Sequence, residues 1–397
     1  MSLLPVAEAQ ARLLALADPL PGESVSLAAA PGRYLAEPLL AARTQPAGDL
    51  SAMDGYALAG AGGDAGWRVV GESAAGRPFN GALAAGEAVR IFTGALLPEG
   101  ADRVLIQEEA QRDGQHVRTD QPAPVGSNIR RRGSDFVAGA TLLSAGSAIG
   151  PATIALAAMA GHAALPVRRR VRVAIVSTGD ELVEPGAPLP PGAIADSNRP
   201  MLAAMLGPLP VDSVVSAHAP DRLEALAALL AEAGTAADVV VTIGGASVGD
   251  HDLVVPALRA NGIAPDFWRV AMRPGKPLLA ARGDHALYLG LPGNPASAFV
   301  TATLFLLPLI RRLAGAAQPL PPCMTLPLTA PLPSGGARTE YWRARITADG
   351  VTPHLVRDSA LLAVLAMSDA LIVRPPDAPA ADAGASVEVI ALPQYLA

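Results

Sequence analysis

Two positive side chains stand close together on one proline-stiffened loop of this sequence. The loop reads Arg273-Pro-Gly-Lys276-Pro, and Lys276 is the single lysine among 30 cationic side chains. A lysine ammonium is a compact point charge, whereas an arginine guanidinium is a planar fork. Two cations held on such a loop suit a small oxyanion, because binding has little side-chain order left to impose. The alternative is a solvated surface loop, which the solitary lysine makes less attractive.

A glycine-rich tract supplies a second candidate binding element. Gly244 and Gly245 follow the apolar run Val239–Ile243, and Ser247 stands two residues further on. Glycine lets backbone N–H groups approach a phosphate closely, and the serine adds a hydroxyl. A lone Gly-Gly pair is more often an ordinary strand-to-helix turn, so the phosphate interpretation depends on its surroundings.

Acidic residues accompany that tract. Asp180 and Glu181 follow another apolar run, and Asp250 and Asp252 follow the glycines. Carboxylates beside a phosphate site typically bind a divalent cation such as Mg²⁺, which bridges them to the phosphate. Helix N-caps are the alternative for Asp180 and Asp250, because aspartate is favoured there.

Further polar positions have simple structural explanations. Ser297 starts a predicted helix behind Pro295, where an anion is favoured, but helix capping alone would explain it. Asp54-Gly55 would on its own be a turn. The histidines have no paired metal-ligand spacing and are assigned no role.

The elements that must position these residues alternate between strands and helices. Alternation of this kind predicts βαβ units and a parallel sheet covered on both faces. Ligands of such sheets bind beyond the carboxyl ends of the strands, so we expect three polar strand exits, 177–181, 244–252 and 292–297, to form one pocket. The predicted strands are Val171–Ser177, Val211–Ala217, Val239–Ile243 and Ala286–Leu291, and the predicted helices are Met201–Leu206, Asp221–Ala233, Asp252–Asn261 and Pro295–Leu313.

Short strands dominate the rest of the chain. Helical spacing predicts helices over Pro5–Ala17 and Pro151–Gly161, the second with proline at its start and glycine at its end. A small, largely β domain is predicted between them, and a small β-barrel or sandwich after the proline-rich linker 318–322. The strands are expected at Trp67–Val70, Ala88–Phe92, Arg103–Gln107, His116–Thr119, Trp342–Ile346, Ala370–Val373 and Ser386–Ala391.

Composition limits the class of protein. A chain of 397 residues with 51% hydrophobic residues can build more than one core. Its net charge of −6, without runs of like charge, makes nucleic-acid binding improbable. One cysteine excludes an internal disulfide, no secretory signal is readable, and the apolar stretch Ala296–Ile310 is too short to span a membrane. We therefore expect a cytoplasmic protein without membrane or nucleic-acid partners.

Seven tracts along the chain together resemble a known family. The chain is similar to MoeA-type molybdopterin molybdenumtransferases, the family related to the E domain of gephyrin, over nearly its whole length. The tracts are SAMDGYA (51–57), RIFTGALLPEGADRV (90–104), STGDEL (177–182), DSN (196–198), GGASVGDHD (244–252), RPGKP (273–277) and LPGNPASA (291–298).

The resemblance implies an α/β multidomain subunit. Its expected parts are a discontinuous linker domain (1–45 and 138–170), an inserted, mostly β lid domain (46–137), a doubly wound, MogA-like α/β catalytic domain (171–317) and a C-terminal β-barrel (322–397). It also implies a homodimer whose active site lies between the α/β domain of one subunit and the lid of the other. Contacts with a molybdopterin adenylyltransferase and a molybdoenzyme chaperone are further expectations.

The activity implied by the resemblance is insertion of molybdate into adenylated molybdopterin, with Mg²⁺-dependent hydrolysis of the adenylate and release of AMP. Carried over by motif, the catalytic residues are Glu181, Asp221, Asp252 and Lys276, and the three carboxylates are also the metal ligands. The residues expected to bind molybdopterin, nucleotide and oxyanion are Asp54, Thr93, Asp135, Asp180, Gly244, Gly245, Ser247, Arg273, Pro292, Pro295, Ser297 and Arg338.

Within that set the roles divide by ligand. Gly244, Gly245 and Ser247 are expected at the nucleotide phosphate, and Arg273, Lys276 and Ser297 at molybdate, with Arg338 a weaker candidate from the barrel. Asp54, Thr93 and Asp135 are expected to close the site from the partner's lid.

Alternatives and departures accompany the resemblance. An adenylyltransferase and a non-catalytic assembly scaffold are the competing functions, and tungstate could replace molybdate because both are tetrahedral dianions. The sequence has Ile243 where the family pattern has glycine, and Ala360 follows Ser359 where the pattern again has glycine.

Overall fold

The computed structural model describes residues 3–121, 124–244, 253–356 and 358–392. Within these ranges the chain is a mixed α/β, sheet-rich molecule of several parts, which confirms the predicted fold class.

The N-terminal part contains a small β sheet between two segments that pair with each other. The lid strands form a sheet in the order β7-β4-β6-β5-β9-β8, while β1 pairs with β12 and β2 with β11. The elements are α1 (Val6–Ala15), β1 (Gly22–Ser26), β2 (Leu39–Leu40), β3 (Leu50–Ser51), β4 (Gly55–Leu58), β5 (Trp67–Ser73), β6 (Glu87–Ile91), β7 (Arg103–Ile106), β8 (Gln111–Asp113), β9 (His116–Arg118), β10 (Ile129–Arg130), β11 (Thr141–Leu143), α2 (Pro151–Ala160) and β12 (Ala164–Arg168).

These elements confirm the predicted N-terminal helices and lid strands to within a few residues. Because β1 and β2 pair with strands that follow the lid, the chain before the lid and the chain after it lie together. The exact residues at which the linker and lid domains meet stay a prediction.

The middle part is the α/β region that the strand–helix alternation predicts. Its main sheet has the order β16-β13-β17-β21-β20-β18. The elements are β13 (Val171–Thr178), β14 (Leu182–Val183), β15 (Ile194–Ala195), α3 (Asn198–Leu206), β16 (Val211–Ala219), α4 (Leu223–Ala236), β17 (Val239–Ile243), α5 (Val254–Ala260), β18 (Pro265–Trp268), β19 (Met272–Arg273), β20 (Leu279–Arg282), β21 (Leu287–Leu291), α6 (Pro295–Thr301) and α7 (Leu307–Leu313).

The predicted parallel sheet has one antiparallel edge. The strands β16, β13, β17 and β21 are parallel, but β20 and β18 run antiparallel to their neighbours. The short turn 283–286 between β20 and β21 allows only an antiparallel hairpin, since a parallel pair needs a long crossover.

Helices cover both faces of this sheet, as predicted. Val173 and Ile175 of β13 lie in a core with α3, α6 and α7, whereas Ala174 and Val176 lie in a second core with α4 and α5. Alternate burial on two faces is typical of strands inside an α/β layer, and each fully buried valine or isoleucine stabilises the fold by about 1.5–3 kcal/mol.

One long apolar helix lies in the core of the α/β region. A π-helical turn at Ala302–Leu306 joins α6 to α7, so the helix runs from Pro295 to Leu313. Of the helices in the described ranges, it is the one long and apolar enough to cross a membrane, and 89% of its most apolar window is buried inside the protein. It is the buried helix that the sequence predicts.

The C-terminal part closes into a small barrel. The main path of its sheet is β19-β23-β25-β26-β22, with β24 paired to β23, and a bridge between Leu328 and Val351 joins the end of β22 to β24. The inclusion of β19 attaches the Arg273 loop of the α/β region to the barrel. The elements are β22 (Cys323–Pro327), β23 (Thr339–Thr347), β24 (Gly350–Pro353), α8 (Leu362–Ala366), β25 (Ala370–Arg374) and β26 (Ser386–Ala391).

Candidate active site

Three strand exits meet at the carboxyl edge of the α/β sheet. Gly244 has φ +85°, and a Cβ on it would stand 3.1 Å from the Thr178 carbonyl oxygen. A Cβ on Gly293 would stand 3.5 Å from the Gly244 Cα, and the Gly244 N–H donates to the Leu291 carbonyl at 3.2 Å. The ends of β13, β17 and β21 are therefore in contact, with glycine at the tightest point.

Two acidic residues at this edge are linked to each other. The Asp221 N–H donates to Asp180 Oδ1 at 3.1 Å, and the Asp180 N–H donates to Asp221 Oδ2 at 3.3 Å. His218 Nε2 lies 2.9 Å from the carbonyl oxygen of Gly179 in the same loop. Both carboxylates are exposed. The helix predicted from Asp221 begins at Leu223, and Asp180 accepts from a loop amide, so neither aspartate is a helix N-cap.

Glu181 also lies at this edge. Its carboxylate folds back against Gly179, where a Cβ would stand 2.5 Å from Oε2. Among the described residues, no group of three or more His, Cys, Asp or Glu side chains is arranged to hold a metal ion. The oxygen donors of Asp180, Glu181 and Asp221 suit Mg²⁺, but the described residues alone do not complete a site. The predicted ligand Asp252 lies outside them.

The Arg273–Lys276 loop packs on the helix that follows the third strand exit. Gly275 has φ +100°, and a Cβ on it would stand 2.5 Å from Thr301 Cγ2 of α6. Only glycine fits this approach, because the left-handed backbone and the close contact both disfavour a side chain. The carbonyl of Lys276 accepts from the Val270 N–H at 3.0 Å, and the Arg273 and Lys276 side chains are exposed. The geometry therefore holds both cations outward on a fixed loop.

The barrel forms the opposite wall. Arg338 Nη1 donates to the Met272 carbonyl at 3.3 Å, and the Ser359 carbonyl accepts from the Ala296 N–H at 3.1 Å. Arg273 and Ser359 line the same small cavity of about 30 Å³, together with Glu340 and Arg343. The start of the Arg273 loop and the barrel thus line one small space, and Lys276, Ser297 and Arg338 are not among its lining residues.

Arg343 is a residue of this wall that the sequence analysis missed. It is 6% exposed and donates to the carbonyls of Leu361, Val356 and Asp358 at 3.0, 2.8 and 2.8 Å. Burial lowers the pKa of its guanidinium. The signal was an arginine within the apolar strand Trp342–Ile346, where a charge must have buried partners.

Ser297 lies inside α6 rather than at its cap. It is the third helical residue, follows Pro295 at the first position and is 6% exposed. The N-cap is Asn294, which makes no side-chain capping hydrogen bond. Capping therefore does not explain Ser297. Pro292 is buried in the turn before the helix.

Two of the three predicted lid residues lie together. Asp54 Oδ1 accepts from both the backbone N–H and the hydroxyl of Thr93, each at 2.7 Å. These hydrogen bonds, the backbone one foremost, lower the pKa of Asp54, with a further contribution from the charge of Arg90. Asp135 is exposed, and its N–H donates to the Gln45 carbonyl at 3.1 Å.

Some predicted residues lie outside the described ranges. These are Gly245, Ser247, Asp250 and Asp252. Their places at the site stay predictions from the sequence.

Comparison with known proteins identifies the family by region. Residues 4–161 match the MoeA N-terminal region (domain I and II), and residues 325–392 match the MoeA C-terminal region (domain IV). Between them, residues 174–312 match a probable molybdopterin binding domain.

Relatives match over most of the chain. A molybdopterin molybdenumtransferase of Haemophilus influenzae is 36% identical, covering 86% of this chain and 85% of its own. One from Nostoc is 37% identical, covering 94% and 89%. A crystal structure of a molybdopterin biosynthesis MoeA protein from Pyrococcus horikosii is 28% identical, with a TM-score of 0.81 and coverage of 98% and 99%. The chain therefore belongs to the MoeA family of molybdopterin molybdenumtransferases.

Proposed function

We propose that this enzyme of molybdenum cofactor biosynthesis inserts molybdate into adenylated molybdopterin, hydrolyses the adenylate and releases AMP. One observation carries the proposal: the Arg273–Lys276 loop packs on α6, which begins directly after the strand exit that contacts Gly244. Residues 293–301 therefore contact both Gly244, proposed to bind phosphate, and Gly275 of the loop proposed to bind the oxyanion.

The charges suit the two ligands. Molybdate is a tetrahedral dianion, and Arg273 and Lys276 would bind it by charge-assisted hydrogen bonds, with Ser297 and Arg338 nearby. The backbone at Gly244 would bind the phosphate side, together with Gly245 and Ser247. Cleavage of the adenylate needs neutralised charge on nonbridging oxygens rather than an amino-acid nucleophile.

The acidic residues have a distinct proposed role. Asp180, Glu181 and Asp221, with Asp252, would hold Mg²⁺ against the pyrophosphate. When bound, Mg²⁺ would neutralise negative charge on the phosphate oxygens. The reciprocal hydrogen bonds of Asp180 and Asp221 support this role, because they keep two carboxylates together at the phosphate edge.

The remaining parts of the proposal concern other molecules. The family resemblance favours a cytoplasmic homodimer in which Asp54, Thr93 and Asp135 of one lid close the site of the other subunit. An adenylyltransferase would supply the adenylated substrate, and a molybdoenzyme chaperone would receive the product.

The experiment that tests the function measures AMP. Purified protein is given adenylated molybdopterin and Mg²⁺, with molybdate, tungstate, sulfate or no added oxyanion. The proposal predicts AMP release that depends on molybdate. The sample with tungstate shows whether tungstate can replace molybdate. If no AMP is released with any of the oxyanions, the proposed activity is contradicted and the scaffold interpretation is favoured. A parallel Asp252→Asn variant should lose turnover and keep its thermal midpoint.

A further inference from the structure

One buried side chain at the carboxyl edge of the sheet has a hydrogen-bond partner for only one of its two polar atoms. Asn198, the first residue of α3, is 8% exposed. Its Nδ2 donates to the Gly293 carbonyl at 2.7 Å, while its Oδ1 has no hydrogen-bond partner among the described residues. A buried acceptor without a donor is costly and uncommon in folded proteins.

The contact with Gly293 fixes which way the carboxamide faces. If the amide were rotated by half a turn, its oxygen would point at the carbonyl oxygen of Gly293, and the two acceptors would repel each other. Oδ1 is therefore held away from that carbonyl. Gly293 is also the residue that packs against Gly244, so Asn198 lies where the strand exits meet.

Two neighbouring side chains share this feature. Thr242, 1% exposed near the end of β17, has no partner for its hydroxyl within the described ranges. Asn294, between Gly293 and α6, likewise has no partner there for Oδ1. Three buried polar atoms on neighbouring segments of this edge thus lack a hydrogen-bond partner within the described ranges.

We propose that Asn198 Oδ1 accepts a hydrogen bond from a neutral N–H or O–H group on the organic part of the substrate. This inference rests on the proposed function. Phosphate and molybdate oxygens at neutral pH are acceptors, so they cannot satisfy a second acceptor. The donors of an adenylated pterin are the nucleoside hydroxyl and amino groups or the pterin N–H groups. Asn198 is thus a specificity residue for one organic half of the substrate.

The test separates the two halves. Calorimetry measures the affinity of the full-length protein for AMP and, separately, for molybdopterin, in wild type and Asn198→Ala. Loss of one neutral hydrogen bond should weaken one of the two ligands by about 2- to 13-fold and leave the other within experimental error. Equal weakening of both ligands, or of neither, would overturn the inference, because a purely structural asparagine acts on the whole crevice.

A matched control comes from another asparagine. Asn261 Nδ2 donates to the Ala227 carbonyl at 2.8 Å, next to the C-terminus of α5. Asn261→Ala should leave the ratio of the two affinities unchanged.

If Asn198→Ala does not fold, wild-type protein supplies the answer through analogues. Either AMP must bind better than one of its 2′-deoxy, 3′-deoxy and 6-deamino analogues, or molybdopterin must bind better than a pterin lacking its amino group. If every analogue binds as tightly as its parent ligand, the inference is overturned, even where AMP release depends on molybdate. If the protein releases no AMP but still binds the donor-bearing ligand better than its analogue, only the proposed function is overturned.

Discussion

At the scale of single residues, the two cations of the oxyanion loop differ in what they can do. Arg273 belongs to β19, whose pairing with β23 ties it to the barrel, whereas Lys276 lies beyond Gly275 with its side chain exposed. An ammonium acts as a point charge that does not depend on a planar orientation, whereas the guanidinium of Arg273 is a planar fork.

The first prediction concerns Lys276. Lys276→Ala should raise the molybdate concentration for half-maximal AMP release by about 10- to 100-fold, the cost of one charge-assisted hydrogen bond. Titration of AMP release with molybdate measures it. Arg282→Ala, which removes an exposed cation at the amino edge of the same sheet, is the control and should leave the titration unchanged. An unchanged titration for Lys276→Ala would remove lysine from the oxyanion site.

At the scale of elements, the barrel loop formed by Val356 and residues 358–361 depends on the strand beneath it. Arg343 of β23 donates to three carbonyls of this loop, and the loop in turn caps the start of α6 through Ser359. We therefore regard Arg343 as a positioning residue for the wall of the oxyanion cavity.

The second prediction follows from that contact. Arg343→Met should raise the half-saturating molybdate concentration by roughly fivefold or more, because the loop carbonyls lose their donors, and should change AMP release at saturating molybdate by less than about twofold. Arg343→Lys should recover part of the loss. Arg345→Met, on the exposed side of β23, is the control. A loss of rate at saturating molybdate with an unchanged half-saturation point would contradict a positioning role.

The third prediction concerns how the linker is attached to the α/β sheet. Asp238 is 7% exposed and accepts from Arg169 at 2.7 and 2.8 Å and from the Arg172 N–H at 2.8 Å. Burial acts to raise the pKa of Asp238, but these hydrogen bonds outweigh it and lower the pKa to about 2. The charged carboxylate therefore stabilises the fold above about pH 4, and this contribution is lost as the pH falls toward about 2.

Asp238→Asn should accordingly lower the free energy of unfolding by about 2 kcal/mol at pH 7, and the difference from wild type should shrink between about pH 4 and pH 2. Urea unfolding at several pH values measures it. Asp266→Asn, an exposed aspartate on β18, should change stability by less than about 0.5 kcal/mol. A difference that stays constant with pH would show that the ion pairs contribute nothing.

Elements were predictable where one short stretch of sequence determined them. The apolar runs of β17 and β21 and the proline start of α6 carry their own signals, and all three were predicted within a residue. The antiparallel strands β18 and β20 were not predicted, because Pro265–Trp268 and Leu279–Arg282 are short and have no distinctive alternation. The strand β13 continues one residue beyond its predicted end, through Thr178, since pairing with β16 overrides the polar character of that residue.

The site likewise contains features that a short stretch of sequence predicts and features that it does not. The Arg273–Lys276 loop and Gly244 were predictable from residue type, whereas Arg343 and the free oxygen of Asn198 depend on contacts between segments distant in sequence. No local pattern records such contacts.

At the scale of the whole molecule, Asp54 and Thr93 of the predicted lid hydrogen-bond to each other, while the cavity beside Arg273 lies between the α/β region and the barrel. In the proposed homodimer, the lid residues of one subunit would complete the site beside the Arg273 cavity of the other subunit. A closed two-fold dimer would then contain two shared sites.

The fourth prediction tests that arrangement by mixing variants. Asp54→Asn inactivates the lid contribution and Asp252→Asn the α/β contribution. Co-assembled in equal amounts, they should recover about a quarter of wild-type AMP release, because half of the dimers then hold one intact shared site. Activity no greater than the mean of the two variants would show that each site is built within one chain.

The measurement closest to the central claim is the ratio of molybdenum incorporated to AMP released. Adenylated molybdopterin is incubated with the enzyme, Mg²⁺ and limiting molybdate, and pterin-bound molybdenum and free AMP are counted in the same sample. Since one site is proposed to hold both the oxyanion and the adenylate, about one molybdenum atom should enter the pterin for each AMP released. AMP released without molybdenum uptake, at a rate independent of molybdate, would contradict the account.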